Sequence, residues 1–183
     1  NELGNIPVNS LFQTACPHIY AAGDVIGPPG LASTSMEQGR LAVRNAFLLN
    51  SHSFPDVFPF GIYCIPEISS VGPTEQELRD RGVHYEVGRA RYREIARGPM
   101  AGDTTGLIKI LFHAETLQLL GVHIIGTNAT EIIPIGHMAI NFRVKIDYFI
   151  DQIFNYPTFA EGFRIAALNG LNKVQAALGG DAV

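Results

Sequence analysis

Two short stretches of the chain carry residue types that bind or react. In the first, Tyr20-Ala21-Ala22-Gly23-Asp24 places a carboxylate where an apolar run ends in a turn, and a helix start follows eight residues later. A carboxylate at the carboxyl edge of a sheet accepts hydrogen bonds from sugar hydroxyls, and a helix start offers free backbone N–H groups to an oxygen-rich ligand. Taken alone, Gly23-Asp24 is also ordinary turn chemistry. In the second stretch, Tyr156 and Glu161 bracket Pro157-Thr158-Phe159-Ala160. Thr158 and Glu161 have the spacing of a capping box, and Tyr156 also reads as a packing residue of an interface.

The remaining reactive types form no site. The six histidines include no pair at helical ligand spacing and no H-E-x-x-H, so no metal is expected. Cys16 and Cys64 assemble neither a disulfide framework nor a zinc ligand set, which fits a reducing, cytoplasmic setting. Arg89, Arg91 and Arg93 alternate along one strand and read as a solvated face. Gly27 to Gly30 is not followed by Gly-Lys-Ser or Gly-Lys-Thr, and no strand leads into G-x-G-x-x-G, so no complete dinucleotide site is encoded.

The elements that must position these residues divide at Asn50 to Phe60, a polar stretch punctuated by Pro55 and Pro59. Before it, His18 to Ala22 reads as a buried strand, Gly27-Pro28-Pro29-Gly30 as a loop, and Leu31 to Leu49 as a helix of about five turns. One strand and one helix cannot bury their own apolar faces, so residues 1–50 read as the end of a larger α/β layer. The opening residue, Asn1, raises the expectation of a fragment whose catalytic partners lie upstream. In residues 51–183, Ile62 to Val71 reads as a strand and Thr74-Glu75-Gln76-Glu77 as a capping box opening a helix that Gly82 closes. Tyr85 to Glu94 alternates, and Leu107 to Phe112 pairs with Leu119 to Ile125 across His113 to Thr116 as an antiparallel hairpin. Three helices follow, near 131–143, 146–153 and 161–178. The fold class is α+β: an antiparallel sheet with flanking helices, preceded by a strand–loop–helix piece of another domain.

Of 183 residues, 46% are hydrophobic and only 16% charged, against about 25% charged in an average globular domain. That balance excludes disorder and points to surface buried in an interface. A net charge of −4 gives no basic footprint for nucleic acid or an anionic membrane. No apolar run reaches the 18 or so residues of a membrane span, and from the polar stretch Asn1 to Ser10 no signal peptide is expected.

Thr14 to Asp24, followed by Gly27-Pro28-Pro29-Gly30-Leu31-Ala32-Ser33, resembles the second FAD-contacting segment of the pyridine nucleotide-disulfide oxidoreductases. Ile62-Tyr63-Cys64-Ile65-Pro66-Glu67-Ile68-Ser69-Ser70-Val71-Gly72 resembles the start of their interface domain. Phe154 to Glu161, with Ala166 to Asn172, is similar to the FAD-dependent pyridine nucleotide transhydrogenases among them. The resemblance implies the strand–loop–helix end of an FAD-binding domain over 1–50 and a dimerisation domain over 51–183. It further implies FAD as cofactor in the complete enzyme, NAD(H) and NADP(H) as substrates, and a homodimer. By the same resemblance Gly23, Asp24, Leu31 and Ala32 contact FAD, Asp24 through the ribitol and the Ala32 N–H facing the flavin pyrimidine. Tyr156 and Glu161 would approach the flavin of the other subunit, and the fragment alone would be inactive.

Tyr156 is the informative departure. Disulfide-reducing members have histidine there, five residues before the glutamate, shuttling protons to and from a thiol. Tyrosine ordinarily titrates near about 10 and histidine near about 6.5, so tyrosine is a poor base at neutral pH. Hydride transfer between nicotinamide and flavin needs orientation and electrostatics but no such base. The substitution favours transhydrogenation over disulfide reduction. The alternatives are a lipoamide dehydrogenase-like disulfide reductase, which a C-x-x-x-x-C pair upstream would revive, and a dimerisation module with no redox role. Dimerisation is expected to run through the apolar hairpin and the carboxyl-terminal helices.

Overall fold

The computed structural model describes residues 2–50 and 52–179. The chain forms two compact units, Asn1–Asp56 and Val57–Val183.

The first unit is mostly loop around one helix, α1 (Ala32–Ala46). Its small core is Phe12, Leu41 and Ala42, with Val8, Tyr20, Ile26 and Phe54 packed around them. The strand expected over 18–22 is reduced to a single bridge, Gln13 to Tyr20. Thr14 N–H donates to the Ile19 carbonyl and Ala21 N–H to the Phe12 carbonyl, and no longer strand lies alongside to extend the ladder. α1 stops at Ala46 rather than Leu49. Phe47 caps it and Leu48 takes a left-handed φ of 56°, which no continuing helix allows.

The second unit is a five-stranded, wholly antiparallel sheet in the order β1-β2-β5-β4-β3. The strands are β1 (Phe60–Ile62), β2 (Ile68–Val71), β3 (Tyr85–Arg91), β4 (Leu107–His113) and β5 (Leu119–Ile125). The single strand expected over Ile62 to Val71 is a hairpin instead, because residues 63–67 turn the chain back and pair Ile62 with Ile68. The strand expected to run to Glu94 ends at Arg91, where Glu94 Oε2 accepts the Arg91 N–H at 2.9 Å and a 3-10 turn begins.

Alternation decides which side chains go under. Ala90, Ile108, Ile110, Phe112, Val122 and Ile124 face one side and are fully or almost fully buried there. Helices α4 (Ala129–Asn141), α5 (Ile146–Asp151) and α6 (Glu161–Gly179) supply the rest of that core, through Ile133, Ile146, Phe149, Phe163, Ala166 and Ala167. On the opposite side α2 (Glu75–Asp80) lays Leu78 over Val87 and Leu111. The expected capping box holds α2 in place: Thr74 Oγ1 accepts the Glu77 N–H, and Glu77 Oε2 accepts the Thr74 N–H at 2.8 Å. α4 has no such local cap. The Glu67 carboxylate, arriving from the β1–β2 turn, accepts both the Thr130 N–H and the Thr130 hydroxyl at its amino end.

A one-turn helix, α3 (Arg97–Met100), leads into the staple that closes the sheet's far end. Asp103 Oδ1 accepts the N–H groups of Thr105 and Gly106, and Oδ2 accepts the Thr127 N–H at 2.8 Å. Partial burial opposes the charge, yet these bonds hold the Asp103 carboxyl below its ordinary value. Replacing Asp103 with Ala orphans three N–H groups and should lower unfolding stability by about 2 kcal/mol at pH 7 in urea titrations. A depressed carboxyl stabilises above its unfolded pKa and loses that contribution as pH falls, so the gap between wild type and variant should narrow below about pH 4. Helix α6 lies so close to β3 that a Cβ on Gly88 would meet the Ala166 carbonyl. Gly88→Ala should therefore force α6 off the sheet and lower the melting temperature by several degrees, readable by differential scanning calorimetry.

Candidate functional site

In the first unit, one buried amide brings the predicted residues together. Gln38, on the inner face of α1 and 4% exposed, accepts the Gly23 N–H through Oε1 at 2.7 Å. Gly23 has φ 81°, and a Cβ there would press on the Ser35 side chain at 3.3 Å, so the turn runs directly against the first turn of the helix. Asp24 follows in a short 3-10 turn (Asp24–Ile26) with its side chain exposed. Its Oδ1 lies 3.9 Å from where Gly30 would carry a Cβ, beside the loop that leads into α1. At the start of α1, Leu31 supplies no side-chain cap, while Thr34 Oγ1 donates to the Leu31 carbonyl. Ala32 and Ser33 are exposed at that end.

Gly23, Asp24, Leu31 and Ala32 thus form one cradle: an exposed carboxylate next to an uncapped helix amino end carrying about half a positive charge. It fits a ligand that offers hydroxyl donors to the carboxylate and a carbonyl or anionic oxygen to the helix. Gln38 was missed at the sequence level. Its signal was present, as the polar residue four positions from Thr34 on the side of α1 that also carries Leu41.

In the second unit the segment before α6 is pinned by Phe159, 5% exposed, whose ring lies 4.6 Å from that of buried Tyr92. Burial first, then the nearby Asp103 and Glu67 charges, push the Tyr92 phenol above its ordinary value, and its hydroxyl donates to the Thr127 carbonyl at 3.0 Å. Around this anchor the two candidate residues diverge. Tyr156 is 74% exposed. Glu161 opens α6 with its Oε2 buried and without a hydrogen-bond partner. The capping box expected between Thr158 and Glu161 is not seen: the Thr158 hydroxyl donates to the Asn155 carbonyl at 2.7 Å, and Glu161 Oε2 accepts no hydrogen bond.

The other reactive types are dispersed. Cys16 and Cys64 are exposed free thiols. His123 Nε2 sits 3.1 Å from the Pro73 carbonyl, and burial lowers its pKa. Exposed His52 joins a surface cluster in which Arg40 holds the Glu37 carboxyl down to about 2. Among the described residues no group of three or more His, Cys, Asp or Glu could hold a metal, and no helix is long and apolar enough to cross a membrane. Arg89 reaches Glu75 only at 4.0 Å, and Arg91 is exposed at the strand's end.

Residues 58–167 match the pyridine nucleotide-disulphide oxidoreductase dimerisation domain. Over 173 residues the chain is 53% identical to the soluble pyridine nucleotide transhydrogenase of Mycobacterium tuberculosis (strain ATCC 25177 / H37Ra), covering 94% of this chain and 37% of that protein. Over 176 residues it is 51% identical to the protein of the same name from Escherichia coli (strain SMS-3-5 / SECEC), covering 93% and 38%. The chain therefore spans under two fifths of the length of these curated relatives. Among solved structures it resembles the HOCl-induced flavoprotein disulfide reductase RclA from Escherichia coli, with a TM-score of 0.85 and 25% identity over 92% of this chain and 39% of that one. It likewise resembles LpdA from Mycobacterium tuberculosis, with a TM-score of 0.80 and 25% identity over 90% and 36%. The antiparallel sheet, its covering helices and this matched stretch establish that the chain belongs to the pyridine nucleotide-disulphide oxidoreductase family and carries its dimerisation domain.

Proposed function

We propose that this chain is the dimerisation portion, with the last loop and helix of the FAD-binding domain, of a cytoplasmic, homodimeric NAD(P) transhydrogenase. Residues 1–50 belong to the FAD domain and 51–183 to the dimerisation domain. FAD, when bound, would supply the hydride chemistry that links NADP(H) to NAD(H).

The chain's own residues would bind and bias that chemistry. Asp24 would accept a ribitol hydroxyl, Gly23 would let the backbone pass close, and the N–H groups at Leu31 and Ala32 would hold a flavin carbonyl oxygen, with the α1 dipole behind them favouring negative charge there. Tyr156 and Glu161 would reach the flavin of the second subunit, Tyr156 without serving as a base. The observation that carries this reading over disulfide reduction is Tyr156 itself, exposed on a pinned segment where thiol exchange calls for an imidazole. A disulfide reductase is the second reading, favoured by the structural likeness to RclA.

The full-length protein should transfer hydride from NADPH to an NAD analogue and show no turnover with lipoamide or glutathione disulfide. The reverse pattern would move the assignment to the disulfide reductases. Tyr156→Phe should keep kcat for hydride transfer within about threefold of wild type, because no proton passes through the phenol. A loss of about 100-fold would make Tyr156 a proton donor and sink the argument. Asp24→Ala should lower FAD content in equilibrium dialysis by at least about tenfold, as expected when a charged acceptor is lost from a sugar hydroxyl.

A further inference from the structure

The cradle of the first unit has two halves. One is the turn over residues 22–26, which carries the exposed Asp24 carboxylate. The other is the amino end of α1, where Leu31 supplies no side-chain cap. Gly27-Pro28-Pro29-Gly30, the chain between them, has no side chain able to hydrogen-bond to either half. The turn's backbone bonds run within itself or back to the start of the unit. Ile26 N–H donates to the Gly23 carbonyl, Gly27 N–H to the Asp24 carbonyl, and Ile6 N–H to the Val25 carbonyl. Among the described residues, one hydrogen bond joins the turn to α1: the Gly23 N–H donates to Gln38 Oε1 at 2.7 Å.

Because the donor is a backbone N–H, the acceptor has to be the amide oxygen, and the bond fixes which way the Gln38 amide points. Gln38 is 4% exposed and lies one turn beyond buried Thr34, on the side of α1 that continues to Leu41. There an aliphatic side chain would pack without needing a partner, whereas an amide is costly to bury unless it is bonded. What the amide adds is one directed contact. It acts together with Ser35, whose Oγ would lie 3.3 Å from a Cβ on Gly23. The turn is thus seated on α1 by a steric stop at Ser35 and a hydrogen bond at Gln38.

We infer that Gln38 is a positioning residue for FAD: its amide oxygen holds the Asp24 turn against α1, so that the carboxylate and the helix amino end meet one ligand together. Gln38 acts through Gly23. Without the bond, the ligand itself would have to order the two halves, and its affinity would fall by that cost. The inference rests on the proposed function for the identity of the ligand, and not for the contact.

The test uses the full-length protein stripped of FAD and titrated with FAD by flavin fluorescence. Gln38→Met keeps the length of the side chain, removes the acceptor, and should raise the FAD dissociation constant at least about tenfold. Gln38→Glu, ionised or protonated, still presents an acceptor oxygen and should stay within about threefold of wild type. In the FAD-free proteins, hydrogen exchange read by mass spectrometry should be at least about tenfold faster at the Gly23 amide of Gln38→Met than in wild type or Gln38→Glu. Wild-type affinity in Gln38→Met would overturn the inference. So would a Gln38→Glu protein as weak as Gln38→Met, since packing and not the acceptor would then decide. Asp24→Ala separates this inference from the reading beneath it. If Asp24→Ala weakens FAD and Gln38→Met does not, the cradle stands and only the positioning role falls. If Asp24→Ala leaves FAD affinity unchanged, the cradle assignment falls and takes the inference with it.

Discussion

The ring contact between Tyr92 and Phe159 fixes what the second unit can present. Tyr92 is itself held by its bond to the Thr127 carbonyl, and Thr127 by Asp103, so the β3–β4 connection, the β5–α4 turn and the entry to α6 share one buried junction. Once Phe159 is docked, the chain has little freedom over the next two residues. Glu161 must enter α6 pointing inward, and Tyr156, on the other side of the anchor, is left outside. Packing of one phenyl ring therefore sorts a phenol from a carboxylate that stand only five residues apart.

Much of this was legible in the sequence where local chemistry and tertiary packing agree. Thr74 and Glu77 form the expected box, and the Leu107 to Ile125 hairpin follows from alternation. Thr158 and Glu161 have the same spacing, yet no bond joins them: the Thr158 hydroxyl donates to a carbonyl three residues back, and Glu161 Oε2 is left without a partner. The β1–β2 turn was illegible for a related reason. Ile62 to Val71 is apolar enough to read as one strand, and only the pairing of Ile62 with Ile68 shows the reversal. Glu67, inside that turn, caps a helix 63 residues away, a use no local pattern can announce.

The candidate cofactor cradle was half legible. Gly23 and Asp24 advertise a turn, but it is Gln38 that accepts the turn's N–H and ties it to the flank of α1. The expected strand at 18–22 failed because strand pairing is a property of two segments, and the first unit offers His18 to Ala22 only Phe12 to Thr14. The same lack of neighbours leaves Met36, Val43 and Phe47 exposed along α1. α1 buries Leu41 and Ala42 against Phe12 and leaves its other side bare.

Glu161 shows why site residues cannot be judged by one rule at a time. A buried carboxylate oxygen without a donor costs on the order of 1–3 kcal/mol, which a fold under selection for stability alone would remove by placing Gln or Ala there. A capping role would have explained the cost, but Glu161 Oε2 accepts no hydrogen bond. What remains is an acceptor held ready for a donor that the described residues do not supply. Tyr156, exposed on the same pinned segment, has the opposite character: a donor with no buried acceptor to serve. An acceptor turned inward and a donor turned outward thus stand on either side of one fixed phenyl ring.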